Sequence, residues 1–171
     1  MRKIVRSSES DKKTYPPWIV SKMLELDDNL KFKNNSRTKI TDFLELYMAI
    51  WSLSSKPYQK KYWGIDSPES VDNYSETMEE FLGTGRAVLD TSDYAVEMTS
   101  KQREMLQKLY DMMEDFEWDD DTADDPGYGI NDHEIIEDPK FDKCRKYARL
   151  VYEELSGDDL DAWEKARTAG E

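Results

Sequence analysis

The stretch IEDPKFDKCRKYARLVYEEL, residues 136–155, carries the clearest structural pattern in the chain. Asp138 followed by Pro139 is typical of a helix start, because the carboxylate caps free amides and proline is tolerated in the first turn. Mostly apolar side chains then recur every three or four residues, namely Phe141, Cys144, Ala148, Val151 and Leu155. The pattern predicts an amphipathic helix that packs against a core and ends at Gly157.

The flanking sequence predicts an all-α fold, a single-domain bundle of about six helices, because similar apolar spacing recurs along the chain. Thr99 and Gln102 have the spacing of a capping box, in which each side chain caps the backbone amide of the other residue. Besides the helix from residue 139, helices are predicted at about 17–30, 41–53, 68–82, 99–118 and 159–169.

Two connecting stretches are predicted to be irregular. PYQKKYW, residues 57–63, is interpreted as a short turn that stops at Gly64, since glycine tolerates the left-handed conformation found at such stops. DDDTADDPGYG, residues 119–129, breaks the helical pattern that precedes it. We therefore expect an acidic loop near residues 117–132.

Glycines are also predicted to end the helix from residue 68. Ser67 and Pro68 give that helix a strong start, because a capping hydroxyl precedes a proline in the first turn. Gly83 and Gly85 follow its apolar stripe and are interpreted as the stop. Residues 86–98 fit no regular period, so no secondary structure is predicted for them.

Composition predicts one cytoplasmic domain. A chain of 171 residues with 37% hydrophobic content is long enough to bury a core. That domain is expected to span residues 16–171, because residues 1–15 are polar and basic and are expected to form a mobile arm. No stretch is apolar enough for a membrane span or a signal peptide, and the single cysteine excludes an internal disulfide. We expect no contact with membranes.

The net charge of −14 is distributed unevenly. Residues 1–65 carry 13 Lys and Arg against 7 Asp and Glu, whereas residues 66–171 carry 11 against 31. Residues 111–138 contain 13 acidic residues and no basic one. Such a surface repels nucleic acid and attracts basic proteins, so no direct nucleic-acid binding is expected. A solvated loop that only improves solubility is the simplest alternative.

Candidate catalytic and metal sites fail on residue type or spacing. Counting Asp119 as the first position of a calcium loop puts Asp124 where glycine is needed and Ile130 where glutamate is needed. His133 has no nucleophile placed with it, and Cys144 lies on an apolar stripe, as expected for an inert thiol. We therefore expect no enzyme activity, no metal site and no cofactor.

The acidic loop is the predicted partner-binding site. Trp118 lies between Glu117 and Asp119, and a large aromatic among carboxylates suits insertion into a basic partner, because tryptophan is enriched at interface hot spots. Packing over the end of its own helix is the alternative. The candidate contact residues are Trp118, Asp119, Asp120, Asp121, Asp124, Asp125 and Tyr128.

The order of PYQKKYW, the acidic loop and IEDPKFDKCRKYARLVYEEL resembles that in small acidic helical bacterial immunity proteins of the contact-dependent-inhibition and polymorphic-toxin type. The resemblance spans about residues 40–156 and carries over no functional residue by position. It implies an inhibitor, immunity-like or antitoxin-like, that neutralises a basic toxin such as a nuclease. A phage-type anti-defence protein that imitates nucleic-acid charge is the alternative, ahead of a structural subunit or an enzyme. The oligomeric state stays open.

Overall fold

The computed structural model describes residues 15–29, 44–64, 72–90, 98–119 and 132–169. These ranges contain eight helices and no strand, which confirms the all-α class but exceeds the predicted count of about six. Of the predicted arm at residues 1–15, all but Tyr15 lies outside the described residues. The helices are α1 Pro17–Asn29, α2 Leu44–Ser54, α3 Lys56–Tyr62, α4 Tyr74–Asp90, α5 Ser100–Asp119, α6 Asp132–Glu137, α7 Pro139–Ser156 and α8 Leu160–Ala169.

Helix α2 is the centre of the core. Every residue from Leu44 to Ser54 is buried except Glu45, as expected for a helix that is apolar on nearly all sides. It packs against α7 most extensively, then against α4 and α1. Tyr47 in this helix donates a hydrogen bond of 3.1 Å to the carbonyl of Leu155, so its polar end is satisfied inside the core.

Helices α5 and α7 pack antiparallel. Near one end Lys101 forms an ion pair of 2.8 Å with Glu154, and in the middle the Lys108 ammonium lies 4.7 Å from the centre of the Tyr147 ring. Near the other end the rings of Phe116 and Phe141 are 5.4 Å apart. From one pair to the next, the residue number therefore rises along α5 and falls along α7.

The predicted caps of α7 and α5 and the predicted stop of α7 are confirmed. The Asp138 carboxylate accepts a hydrogen bond of 2.8 Å from the amide of Lys140, and α7 ends at Gly157 with φ +80°. The amide of Thr99 donates to the Gln102 side chain at 3.0 Å, and the amide of Gln102 donates to the Thr99 hydroxyl at 3.1 Å. Local sequence signals therefore fix these helix ends.

The predicted bounds of α4 are wrong at both ends. The helix begins at Tyr74, where Asn73 caps the amide of Glu76 at 2.8 Å, and the Ser67–Pro68 signal lies outside the described residues. It then continues through both glycines to Asp90. Gly85 is a packing position instead of a stop, since a Cβ there would lie 3.4 Å from the Tyr110 ring.

Two short helices account for the higher count. PYQKKYW is not a turn: most of it forms α3, in which the Ser55 hydroxyl caps the amide of Tyr58 at 3.2 Å. Gly64 follows with φ +93°, as a stop requires. The second, α6, occupies Asp132–Glu137 just before α7. Both are shorter than the windows in which an apolar period can be recognised.

The first and last parts of the helical body are joined by Asp158. Its carboxylate accepts from the backbone amide of Trp18 at 3.2 and 3.1 Å, and from the Tyr152 hydroxyl at 2.7 Å. The Trp18 ring stacks on Tyr47 with centroids 4.0 Å apart. A residue between α7 and α8 thus caps the first turn of α1.

Candidate partner-binding site

Four buried aromatic rings form a cluster at one end of the helical body. Tyr74 at the start of α4 lies 6.1 Å from Phe116 near the end of α5 and 6.0 Å from Phe141 near the start of α7. Trp63, just after α3, is 6.0 Å from both Tyr74 and Phe141. We refer to Trp63, Tyr74, Phe116 and Phe141 as the aromatic end cluster.

Residues 111–138, here called the acidic segment, are attached to this cluster at two points. Phe116 is itself a member of the cluster. Further along, Asp132 is buried and its carboxylate accepts a hydrogen bond of 3.0 Å from the amide of Tyr74. The described residues on both sides of positions 120–131 therefore contact the aromatic end cluster.

The predicted contact residues fall between these two attachments. Trp118 and Asp119 lie at the end of α5, where the described residues include the helix but not these two side chains. The other predicted contact residues lie outside the described residues, namely Asp120, Asp121, Asp124, Asp125 and Tyr128. Their role stays a prediction.

Exposed carboxylates of the described residues lie on the helices that build this end. Glu76 and Glu79 are in the first turns of α4, and Glu134 is in α6. None of the six exposed carboxylates in these helix ends forms an ion pair with another described residue. The six are Glu76, Glu79, Asp111, Glu114, Asp115 and Glu134. The same end also carries the exposed lysines Lys61, Lys140 and Lys143, which lie within two residues of Trp63 or Phe141.

The last part of the acidic segment is instead paired with α3. Lys56 forms an ion pair of 3.1 Å with Glu137, and Lys60 lies 4.0 Å from the same carboxylate. The hydrogen bond from Lys56 is the main reason that the pKa of Glu137 lies below its ordinary value. This solvent-exposed contact joins the end of α6 to α3.

A buried polar network supports the start of α4. The Asp72 carboxylate accepts from the hydroxyls of Tyr58 at 3.0 Å, Thr77 at 3.2 Å and Ser52 at 3.4 Å, and from the amide of Asn73 at 2.9 Å. A buried charge is tolerated only when such partners replace its water. The network holds α2, α3 and α4 together and is closed to solvent, so it is structural.

The buried polar residues Asp72, Gln59 and Arg145 were not predicted from the sequence. One signal was available for Arg145, which lies four residues after Phe141 and three before Ala148 and therefore on the apolar stripe of α7. Asp72 and Gln59 give no comparable pattern, because their partners are distant in sequence or lie on other helices.

The two residues considered for catalysis lie in different surroundings. His133 is exposed on α6. The Cys144 thiol is buried, and this burial is the main reason that its pKa is raised to about 11, so little thiolate forms near neutral pH. Within the described ranges, no three His, Cys, Asp or Glu side chains are grouped to hold a metal ion. None of the helices described above is long and apolar enough to cross a membrane.

Comparison with known proteins returned no relative. No protein-family model matches the chain, and no match was found among curated proteins or among solved structures.

Proposed function

We propose that this protein is a non-catalytic inhibitor that binds a basic protein through the acidic segment, in the manner of an immunity protein or antitoxin. The observation that supports this most is the attachment of the segment to the aromatic end cluster through Phe116 and Asp132. Holding both sides of a binding segment in place lowers the entropy lost on association.

The charges around the cluster suit a cationic partner. The exposed carboxylates of α4, α5 and α6 at this end have no ion pairs with described residues, so they add to the field of the segment instead of being neutralised. Such a field speeds the encounter with a basic cleft, for example the active site of a nuclease toxin. We place the inhibitor in the cytoplasm, where its single cysteine would stay reduced.

Mimicry of nucleic acid, the alternative role, would be favoured by an unbroken row of carboxylates. The exposed row along α5 carries both signs, since Lys101 and Lys108 alternate with Glu104 before Asp111 and Asp115. Its first half therefore does not imitate a phosphate backbone. We accordingly favour an inhibitor adapted to one partner protein.

The first partner to test is a toxin-like protein encoded next to this chain in its genome. We expect a stoichiometric complex that blocks the activity of the toxin. Raising the salt concentration from about 0.05 M to about 0.5 M should slow association strongly and change dissociation less, because salt screens long-range attraction. Kinetics that do not depend on salt would contradict an encounter driven by charge.

A pair of matched double variants locates the attraction. Asp120→Asn with Asp121→Asn removes two charges from the acidic segment. Asp90→Asn with Glu104→Gln removes two from the opposite end, where Arg103 bonds the carbonyl of Leu89. We expect the first pair to slow association and the second to have little effect. Equal slowing would assign the attraction to net charge alone.

Trp118→Ala tests the predicted anchor separately. If Trp118 inserts into the partner, its loss should speed dissociation and cost about 2 kcal/mol or more of binding free energy. Circular dichroism checks that the helices remain. An unchanged dissociation rate would remove Trp118 from the interface.

A further inference from the structure

Helix α7 has an exposed apolar residue at the centre of its outer face. The Leu150 side chain is 54% exposed, against 40% for Leu24, the other strongly exposed large apolar residue among those described. The half-buried Tyr147 ring precedes it by one turn. A single exposed leucine is common on protein surfaces, so the case for a contact here depends on the charged residues around it.

The charges on this face change sign at Leu150. Lys143 and Lys146 precede it and are exposed, and Glu153 and Glu154 follow it and are half-buried. Residues three or four positions apart share a helix face, so these side chains form one stripe with Leu150 in the middle. The stripe is basic in its first half and acidic in its second. Within one chain Lys146 pairs with Asp142 at 3.0 Å and Glu154 pairs with Lys101 at 2.8 Å, so a partner has to replace or share these solvent-exposed pairs, which contribute little to stability.

We propose that this stripe binds the same stripe of a second copy of the chain, with the two α7 helices antiparallel and a two-fold axis at Leu150. Residues equally far from the centre then face each other. Lys146 and Glu154 are each four residues from Leu150, so Lys146 of one copy faces Glu154 of the other, twice per dimer. The two Leu150 side chains meet at the axis.

A second copy fits this surface better than a partner of uniform charge. A wholly basic partner would face like charge at Lys146 and a wholly acidic one at Glu154, whereas a reversed copy places the opposite charge against each of them. One helix face is smaller than a standard interface of about 800 Å² per partner, and each chain carries a net charge of −14. The dimer should therefore be weak and populated only at high protein concentration.

The first test is sedimentation equilibrium of the full chain over a wide concentration range. We expect reversible dimerisation that Leu150→Lys weakens by about tenfold or more, because it places two cations at the axis. Leu24→Lys makes the same substitution at an exposed leucine of α1 and should leave dimerisation unchanged. A chain that stays monomeric throughout, or equal effects of the two variants, would overturn the proposal and leave Leu150 to another partner.

A charge exchange tests the pairing itself. Lys146→Glu and Glu154→Lys should each weaken the dimer, and the double variant should recover most of the lost affinity because the opposite charges face each other again. The ion pairs of Glu154 with Lys101 and of Lys146 with Asp142 do not explain such a recovery, since the double variant lacks both of them. A double variant as weak as the single variants would refute the antiparallel arrangement.

Disulfide trapping gives an independent readout. Leu150→Cys should form a covalent dimer under mild oxidation, because the two-fold axis brings the two introduced thiols together. The native Cys144 is buried and does not compete. Leu24→Cys is the matched control and should remain monomeric under the same conditions. Equal trapping of both variants, or none with Leu150→Cys, would overturn the proposal.

Discussion

The Arg145 guanidinium donates a hydrogen bond of 2.7 Å to the side-chain carbonyl of Gln59, although the two buried residues lie 86 positions apart. Arg145 also donates to the carbonyl of Ile136 at 2.9 Å. Gln59 in turn donates to the carbonyls of Ser52 at 2.7 Å and Leu53 at 2.9 Å. This pair therefore connects α2, α3, α6 and α7 through groups that water does not reach.

Arg145→Met should strongly destabilise the fold. The variant leaves the Gln59 and Ile136 carbonyls buried without this donor, and we expect a loss of about 2–4 kcal/mol in the free energy of unfolding. Lys146→Met removes the same charge from the next position, whose side chain is 78% exposed, and should cost less than about 1 kcal/mol. Urea unfolding measures both, and equal losses would contradict the structural role of Arg145.

Gly83→Ala should stabilise the protein by about 0.5–1 kcal/mol, because α4 continues through this position and alanine favours a helix. A Cβ at Gly83 would meet nothing within 4 Å. At Gly85 it would lie 3.4 Å from the Tyr110 ring, so Gly85→Ala should gain less. Thermal unfolding compares the two. Destabilisation by Gly83→Ala would indicate that the helix ends there after all.

Asp158→Ala should loosen α1. It removes the carboxylate that accepts from the Trp18 amide and the Tyr152 hydroxyl, and we expect a loss of about 2–3 kcal/mol in the free energy of unfolding. Asp161→Ala breaks an exposed ion pair of 2.6 Å with Arg149 and should cost less than about 1 kcal/mol. Hydrogen exchange of the backbone amides in α1 should become faster in Asp158→Ala and stay unchanged in Asp161→Ala.

Alkaline pH should destabilise the fold. Burial raises the pKa of Cys144 from 9.0 to about 11 and also raises the pKa of Tyr152. Because the folded state holds these protons more tightly than the unfolded state, the contribution of these two groups to stability is constant below about pH 9 and falls as the pH rises further. Cys144→Ala should remove the part of this fall that begins near pH 9. Urea unfolding from about pH 8 to 11 measures the free energy of unfolding of both proteins. If this free energy falls equally steeply with pH in the variant, the Cys144 thiol is not the source of the fall.

The elements that local signals specify were predictable from the sequence. The cap at Asp138, the Thr99–Gln102 box and the stop at Gly157 depend on residues within a turn of each other, and all three are confirmed. The continuation of α4 past Gly85 was not predictable, because it depends on packing against Tyr110, 25 positions later. Tertiary contacts outweigh the modest cost of glycine in a helix.

The negative charge of the candidate site was predictable from the sequence, but its contact with the aromatic end cluster was not. Composition alone identifies the acidic segment. Its connection to the core requires the bond between Asp132 and the amide of Tyr74, which are 58 positions apart. No periodicity relates such residues, since the contact exists only once the helices have packed.

The Asp158 contact with Trp18 has a mechanical consequence. The residues that it joins lie close to the two ends of the described helical body, 140 positions apart. A force applied to the two termini, as in an optical trap, would pull on α1 from one side and on α8, which follows Asp158, from the other. We expect α1 and α8 to detach in separate low-force steps, after which the Asp158 contact is lost, and the rest of the body to resist until a higher force.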